Sequence, residues 1–323
     1  MLNRLARLIA AALLGATAPW AVSAAYPDKP VRLIVPWATG GSTDALARAV
    51  GQGMSATLGQ QVIIENKPGA AGNLGAAAAA KATPDGYTLA IIELPHAIAP
   101  SLVSNLTYNL RRDFVPISLI GASPLMLFTH PGVAGHASVQ GWLADAKAKP
   151  GALAIAHSGN GAISHLAGEL LQVRTGARFN TVPYRGSAPA LTDLAAGLVS
   201  AHFSTLASAS ALVTAGRVKP IAVTSDRRLP VMPDVPTMAE QGVPHMVIAQ
   251  WWGLVAPAGT PPAVVERLRK ELHAALGDVV VRERLRLLAI DKQPGTGAEF
   301  ARLIDTEIRR WAKVAADAGV KAE

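Results

Sequence analysis

The stretch LIVPWATGGSTD, residues 33–44, decides the fold of the first half of this chain. It begins as an apolar strand, turns at Pro36, and passes through Gly40 and Gly41 into Ser42-Thr43-Asp44, which suits the start of a helix. The first backbone N–H groups of a helix have no partner within the helix and carry partial positive charge. The stretch therefore predicts a strand, a tight turn and a helix N-terminus that can bind an anion.

The N-terminal residues predict export. Arg4 and Arg7 accompany an apolar run at residues 8–14, and Val22-Ser23-Ala24 is a small-residue cleavage site. The run is too short to span a membrane, so we interpret residues 1–24 as a removable secretion signal rather than an anchor helix. The chain has no cysteine and thus offers neither a disulfide nor a cysteine for lipid attachment.

Length and charge narrow the class of protein further. About 300 residues remain after the signal, more than one compact core usually organises, which predicts two domains. The formal net charge of +8 is dispersed along the chain. Aromatic residues are few and are not interleaved with basic ones, which argues against nucleic-acid binding.

The pattern of strand, glycine loop and helix returns twice. Residues 62–65 form a predicted strand before a glycine-rich loop at 69–75, and residues 153–156 lead into SGNGAIS at 158–164. Such alternation predicts an α/β protein of two domains, each a mixed, mostly parallel sheet flanked by helices. Because ligands sit beyond the carboxyl ends of strands, we expect a cleft between the domains.

Nucleotide, metal and catalytic sites find little support in the sequence. The first loop lacks the Gly-Lys-Ser/Thr of a phosphate-binding loop, and the glycine spacing at 69–75 departs from Gly-x-Gly-x-x-Gly. His157, Ser158 and His165 are close in sequence, but no Gly-x-Ser-x-Gly elbow surrounds the serine. The histidines lack metal-binding spacing. We therefore predict no cofactor, no metal and no catalytic residue.

The motifs of this chain, taken together, resemble the Bug proteins, which are the periplasmic solute receptors of tripartite tricarboxylate transporters. The resemblance covers the whole mature chain in order: YPDKPVRLIVPW at 26–37, GGSTD at 40–44, ENKPG at 65–69, PDGYTL at 84–89, SGNG at 158–161, SHLAGEL at 164–170, VPYRGSAPA at 182–190, AVTS at 222–225, PDVPT at 233–237 and APAGTP at 256–261.

This resemblance implies a periplasmic binding protein of the two-domain, Venus flytrap kind (type II-like), which closes on a small organic carboxylate. Residues 25–123 plus 229–323 would form domain 1 and residues 124–228 domain 2, with hinges near 120–124 and 225–229. It also implies a monomeric receptor without enzymatic activity, whose partners are the large and small membrane subunits of a tripartite tricarboxylate transporter.

The predicted ligand-binding residues come from the loops and the neighbouring strand ends. In the family, the two loops hold a carboxylate largely through backbone N–H groups and water. A polar pair, Glu93 and His96, can face the cleft or lie in an ordinary solvated loop. The full predicted set is Trp37, Thr39, Gly40, Gly41, Ser42, Asp44, Gly72, Glu93, His96, Ser158, Gly159, Asn160, Gly161, Ala162, Ile163, Tyr184 and Ser204.

Departures from the family pattern bear on ligand identity. Ser204 stands where an aspartate is common, which disfavours an amino group there, although Glu93 could supply a different contact. Ala162 and Ile163 stand where a hydroxyl residue is frequent. Because Ile163 and Trp37 make the wall more apolar, we predict an aromatic or aliphatic carboxylate rather than citrate.

Two other functions stay open on the sequence alone. One is a ligand-sensing receptor that docks on a signalling partner instead of a permease. The other is a periplasmic serine hydrolase using Ser158 or Ser204, for which no base and orienting acid can be placed.

Overall fold

The computed structural model describes residues 26–133 and 136–317, with side chains to residue 313. The predicted secretion signal, residues 1–24, lies outside this part of the chain. Two mixed β-sheets flanked by helices form two lobes, which confirms the predicted α/β architecture. None of the described helices is both long enough and apolar enough to cross a bilayer.

Three stretches of chain build the two lobes. The first comprises β1 (Val31–Val35), α1 (Ser42–Leu58), β2 (Val62–Asn66), a 3-10 turn (Ala70–Gly72), α2 (Asn73–Ala80), β3 (Thr88–Glu93), α3 (Leu94–Leu102) and β4 (Phe114–Pro124). The second comprises β5 (Met126–Thr129), α4 (Val139–Ala148), β6 (Ala154–His157), α5 (Ile163–Thr175), β7 (Asn180–Pro183), α6 (Ser187–Ala195), β8 (Ala201–Ser204), α7 (Leu206–Thr214) and β9 (Lys219–Val223). The third comprises β10 (Ala249–Pro257), α8 (Pro262–Gly277), α9 (Val279–Leu287), β11 (Asp291–Lys292) and α10 (Gly297–Asp317).

The two sheets combine parallel and antiparallel pairs. The first has the strand order β11-β4-β10-β3-β1-β2, and the second β7-β6-β8-β5-β9. Strands joined through helices pair in parallel, namely β1 with β2 and β3, and β6 with β7 and β8. By contrast, β10 runs antiparallel to β3 and β4, and β5 runs antiparallel to β8 and β9. Parallel pairing is therefore less general than predicted, because β5 and β10 run against their neighbours.

Burial of apolar faces explains the elements that hold the first loop. Strand β1 buries every residue except Arg32, and Leu33 is fully buried, as expected for an inner strand of a sheet covered by helices. Helix α1 buries Leu46, Val50 and Met54, which recur every four residues along one face. It ends at Gly59, whose φ of 70° is a left-handed conformation that glycine adopts without strain.

The C-terminal helix α10 closes the first lobe against β10. Phe300, Ile304 and Trp311 on α10 are buried. The Phe300 ring occupies the space beside Gly253, where a Cβ atom would lie 2.0 Å from the ring. A residue without a side chain is therefore needed at this point of β10.

The chain passes between the sheets at two neighbouring points. It leaves the first sheet at Leu125, between β4 and β5, and returns between Ile248 and β10. Thr224 lies between these segments: its N–H donates to Leu125 O (2.8 Å), and Ile248 N–H donates to Thr224 O (3.0 Å). The crossings are thus tied together by backbone hydrogen bonds.

The segment that precedes β10 contacts the second lobe. Val223 N–H donates to Pro236 O, and Met238 N–H donates to Val223 O, each at 2.9 Å. Gln241 accepts a hydrogen bond from the first residue of α4. We therefore propose a domain boundary near residue 248 in place of 228, with the other boundary near residue 124.

Candidate functional site

Asp44 shapes the loop that follows β1. Its buried carboxylate accepts hydrogen bonds from Gly40 N–H (3.1 Å), Asn66 Nδ2 (3.0 Å) and Arg48 Nε (3.0 Å). Burial alone would raise the pKa of the Asp44 carboxyl, but these hydrogen bonds hold it below its ordinary value. Gly40 has a φ of 91°, a conformation that favours glycine. Asp44 therefore braces the loop, and Gly40 provides its turn.

The loop after β6 is held by serine hydroxyls. Ser158 N–H donates to Ser164 Oγ (2.9 Å), and the two serine Oγ atoms lie 2.8 Å apart. Gly159 and Gly161 have φ values of 128° and 75°, so both need glycine. The loop delivers the chain to the N-terminus of α5 at the cleft.

Two further helices, whose first residues are not among the predicted site residues, begin at the same cleft. Helix α6 follows Gly186, whose φ is 115°, and helix α7 follows Thr205. The N-caps of α1, α5, α6 and α7 make no side-chain capping hydrogen bond. Among the helices that begin elsewhere, α4 and α9 are capped by Ser138 and Asp278, whereas α2 and α8 also lack a side-chain cap. Four uncapped helix N-termini thus converge on one space.

The cleft between the lobes is narrow and mixed in polarity. The volume of the cleft, including the part that is open to solvent, is about 580 Å³. The described residues that line it include no lysine, arginine or histidine, and Glu93 is the one carboxylate among them. The lining residues are Trp37, Ala38, Gly41, Ser42, Thr43, Glu93, Pro95, Leu125, Ser158, Ala162, Ile163, Ser164, Gly186, Ser187, Ala188, Phe203, Ser204, Thr205, Ser208 and Gln250.

One hydrogen bond already joins the two lobes across this cleft. Ser42 N–H, in the first turn of α1, donates to Ser208 Oγ of α7 at 2.9 Å. The cleft is therefore bridged on one side, and the loop after β1 is held against the second lobe.

Several buried polar side-chain atoms in the cleft lack a hydrogen-bond partner among the described residues. Buried polar groups are normally paired, so a cluster of unpaired ones calls for an explanation. A bound ligand or water would supply the missing partners. The atoms are Trp37 Nε1, Glu93 Oε1, Ser204 Oγ, Thr205 Oγ1 and Gln250 Oε1.

Glu93 is held inside a hydrogen-bonded group at the end of β3. Its Oε2 accepts from Thr43 Oγ1 (3.0 Å) and from Gln250 Nε2, while Trp252 Nε1 donates to Thr43 Oγ1 (3.0 Å). The residue is also the N-cap of α3, in a capping box with His96. Burial raises the pKa of Glu93 to about 8, against smaller opposing effects of these hydrogen bonds.

The predicted site residues divide into those that line the cleft and those that do not. The first group is Trp37, Gly41, Ser42, Glu93, Ser158, Ala162, Ile163 and Ser204. The second group is Thr39, Gly40, Asp44, Gly72, His96, Gly159, Asn160, Gly161 and Tyr184, none of which is among the lining residues. A contact of either group with ligand remains a prediction.

Several residues of the second group form hydrogen bonds or close contacts within the protein. Thr39 Oγ1 donates to Asn66 Oδ1 (3.3 Å), and Tyr184 OH donates to an aspartate on α6 (2.7 Å). The buried His96 ring lies against Gly72, with Nε2 3.3 Å from its carbonyl oxygen. Burial lowers the pKa of His96 to about 4, so the ring is neutral at pH 7.

Some lining residues carried a sequence signal and others did not. Gly186-Ser187 repeats the Gly-Ser helix start of Gly41-Ser42 and could have been selected by the same rule. Gln250 and Thr205 reach the cleft only through sheet pairing and lobe packing, so no local pattern indicates them. Among the described residues, no group of three or more acidic or histidine side chains could hold a metal ion.

Comparison with known proteins places this architecture in a family. The family model described as "Tripartite tricarboxylate transporter family receptor" matches residues 46–320. The chain belongs to this family. BugT of Bordetella pertussis is 37% identical over 298 residues, which cover 92% of this chain and 91% of BugT.

Solved structures of family members agree with the fold. The periplasmic binding protein BugD superposes with a TM-score of 0.89 at 34% identity, covering 92% of this chain and all of the BugD chain. An R. palustris protein solved with adipate has a TM-score of 0.88 at 36% identity, covering 92% of this chain and all of its own. The predicted membership of the Bug family is confirmed.

Proposed function

We propose that this protein is a periplasmic receptor that captures a small organic carboxylate between its lobes and delivers it to a tripartite tricarboxylate transporter. The observation that supports this most directly is the convergence of four uncapped helix N-termini on a cleft whose described lining lacks cationic side chains. Each N-terminus contributes partial positive charge and N–H donors. Together they suit an anion that is held by dipoles and can be released.

The shape and the lining of the cleft favour a short carboxylate with an apolar body. Backbone donors at the starts of α5 and α6 would hold one carboxylate, with the serine hydroxyls and bridging water completing its shell. Ile163, Phe203 and Leu125 provide apolar wall. The family member solved with adipate supports an aliphatic ligand of this class.

We infer that the protein acts without catalysis. The Ser158 hydroxyl is paired with Ser164 Oγ, and Ser204 Oγ has no hydrogen-bond partner among the described residues. His157 and His165 stack with ring centroids 4.4 Å apart. Burial and the neighbouring His165 lower the pKa of His157 to about 4. Among the described residues, neither Ser158 nor Ser204 is therefore hydrogen-bonded to a general base.

The test is a thermal-shift screen of mono-, di- and tricarboxylates, followed by calorimetry of those that stabilise the protein. We expect stabilisation by one or a few carboxylates with aliphatic or aromatic bodies. Stabilisation by citrate and by no other carboxylate would contradict the predicted apolar ligand. If no carboxylate stabilises the protein, the proposed ligand class is wrong.

A substitution that introduces a negative charge at a helix N-terminus in the cleft tests where the carboxylate binds. Ser187→Asp adds a negative charge in the first turn of α6 at the cleft, where aspartate suits the helix itself. We expect a loss of affinity of about tenfold or more, because like charges at close range repel strongly away from bulk water. Ala263→Asp is the matched control, since Ala263 is exposed in the first turn of α8 and does not line the cleft. Equal affinities of the two variants would contradict the placement of the anion.

Delivery is tested by uptake in cells. Deleting the gene should abolish uptake of the bound carboxylate where the membrane subunits are present, and re-expression should restore it. Normal uptake in the deletion strain, with loss of a transcriptional response instead, would favour a signalling receptor.

A further inference from the structure

Glu93 and Gln250 are two polar residues that line the cleft and are hydrogen-bonded to each other. Glu93 is the last residue of β3, and Gln250 lies near the start of β10, which runs antiparallel to β3. Both side chains are buried, with Glu93 only 1% exposed, and both line the cleft. Their positions are fixed by adjacent strands of the sheet, so this point is rigid.

The hydrogen bonds of the pair leave one atom of each residue unused. Thr43 and Gln250 both donate to Oε2 of Glu93. Oε1 of Glu93 and Oε1 of Gln250 have no partner among the described residues, although each is buried. Each of these two buried atoms calls for a hydrogen-bond partner, and one group of a ligand in the cleft could supply both partners.

The surroundings of Glu93 decide its charge. The groups facing it from α1 and β10 are neutral: the Thr43 hydroxyl, the Gln250 amide and the Trp252 indole. On α3 the neighbouring titratable group is His96, whose pKa burial lowers to about 4. Burial raises the pKa of Glu93 to about 8, so at pH 7 the carboxyl is an uncharged acid. Because Oε2 already accepts from two donors, Oε1 is the oxygen left to carry the proton.

We propose that Glu93 Oε1–H and Gln250 Oε1 together bind a hydroxyl group of the ligand, so that the receptor selects hydroxycarboxylates. A hydroxyl accepts a hydrogen bond from the acid and donates one to the amide oxygen, which pairs both atoms. A CH₂ group would leave both unpaired. An ammonium group would meet the positive ends of four helices and an acid that carries no charge. This inference rests on the proposed function, because the carboxylate of the ligand must bind first.

Matched ligand sets test the selection. Each set keeps the carbon skeleton and changes one substituent between hydrogen, hydroxyl and amino: propionate, lactate and alanine; succinate, malate and aspartate; 3-phenylpropionate, 3-phenyllactate and phenylalanine. In the set that binds, calorimetry at pH 6.5 should show the hydroxyl compound binding about tenfold more tightly than the hydrogen compound, and the amino compound more weakly than both.

Variants separate this specificity from a general structural role. Glu93→Gln keeps a donor in place of Oε1–H and keeps an acceptor for Thr43 and Gln250, so it should retain the hydroxyl preference. Glu93→Ala should reduce the preference to less than about twofold while still binding the hydrogen compound. Glu266→Gln is the control, an exposed glutamate on α8 paired with Arg269, and should match the wild type.

A pH series completes the test. Between pH 6.5 and 9 the wild type should lose affinity for the hydroxyl compound, because ionised Glu93 no longer donates; Glu93→Gln should not. Binding of a carboxylate with no hydroxyl preference, or with preference for the amino compound, would overturn this inference and leave the proposed function intact. Binding of no compound in any set would count against the proposed function itself.

Discussion

Replacing Glu93 with glutamine removes a buried titration while it keeps the size and the hydrogen-bonding pattern of the side chain. In the folded protein burial raises the pKa of Glu93 to about 8 from an ordinary value of 4.5. Between these two pH values the folded state holds a proton that the unfolded state has released. Stability therefore falls as pH rises through this window, since the folded state binds more protons.

The size of the effect follows from the same two values. Each pH unit within the window costs about 1.4 kcal/mol of unfolding free energy for one proton. Relative to low pH, where Glu93 is protonated in both the folded and the unfolded state, the wild type should lose about 3 kcal/mol of unfolding free energy at pH 7. At pH 5 the loss should be less than about 1 kcal/mol. Glutamine carries no such loss, so Glu93→Gln should be more stable than the wild type by about 3 kcal/mol at pH 7.

The assay starts from protein that has been refolded without ligand. Its unfolding in urea is monitored by circular dichroism at pH 5, 6 and 7. Removing bound ligand matters because any ligand that binds the folded state adds its own stabilisation. The quantity compared is the difference in unfolding free energy between variant and wild type. The other titratable groups contribute equally to both proteins, so their contributions cancel in this difference. Glu266→Gln, at an exposed position, shows the effect of removing one surface carboxylate.

The result that would refute the reasoning is a difference that stays constant between pH 5 and pH 7. Glu93 would then be ionised in the folded protein across this range. The inferred O–H donor in the cleft would be lost with it.

Three other substitutions probe the scaffold of the cleft. Ser208→Ala removes the acceptor of Ser42 N–H, and hydrogen exchange should show this amide exchanging about threefold to tenfold faster; an unchanged rate would argue against the inter-lobe bond. Gly253→Ala should destabilise the protein by about 1–3 kcal/mol in urea, because its Cβ would overlap the Phe300 ring. Gly75→Ala should destabilise the protein by about 1–3 kcal/mol in urea, because its Cβ would lie 2.8 Å from the Cα of the proline after β1 and 2.9 Å from the carbonyl oxygen of Lys67; wild-type stability would contradict this close packing.

Local chemistry in the sequence predicted much of the scaffold. Residues 33–44 indicated a strand, a turn and a helix, and the structure has β1 ending at Val35 and α1 beginning at Ser42. The same stretch predicts Asp44 as a ligand residue; in the structure its carboxylate accepts hydrogen bonds from Gly40, Arg48 and Asn66, and a contact with ligand stays a prediction. A sequence shows that a polar residue stands at a helix start and does not show which way its hydrogen bonds point.

Features made by distant contacts were harder to predict. Gln250 meets Glu93 through strand pairing across 157 positions, and nothing in its local sequence marks it. The segment before β10 carries no helix or long strand, so its hydrogen bonds to β9 and Thr224 could not be read from periodicity. Glu93 is among the ligand-binding residues predicted from the sequence, but its charge state depends on burial, which only the fold determines.

The two chain crossings lie side by side, at Leu125 and Ile248, with Thr224 bonded to both. Two adjacent hinge points define a single hinge axis. We expect relative motion of the lobes to have one main degree of freedom, in which a small twist of these backbones becomes a large displacement at the rim. The chain has no cysteine. Two cysteines introduced on opposite rims of the cleft would therefore be the only thiols to react with spectroscopic labels, and the distance between the labels would report the opening of the lobes.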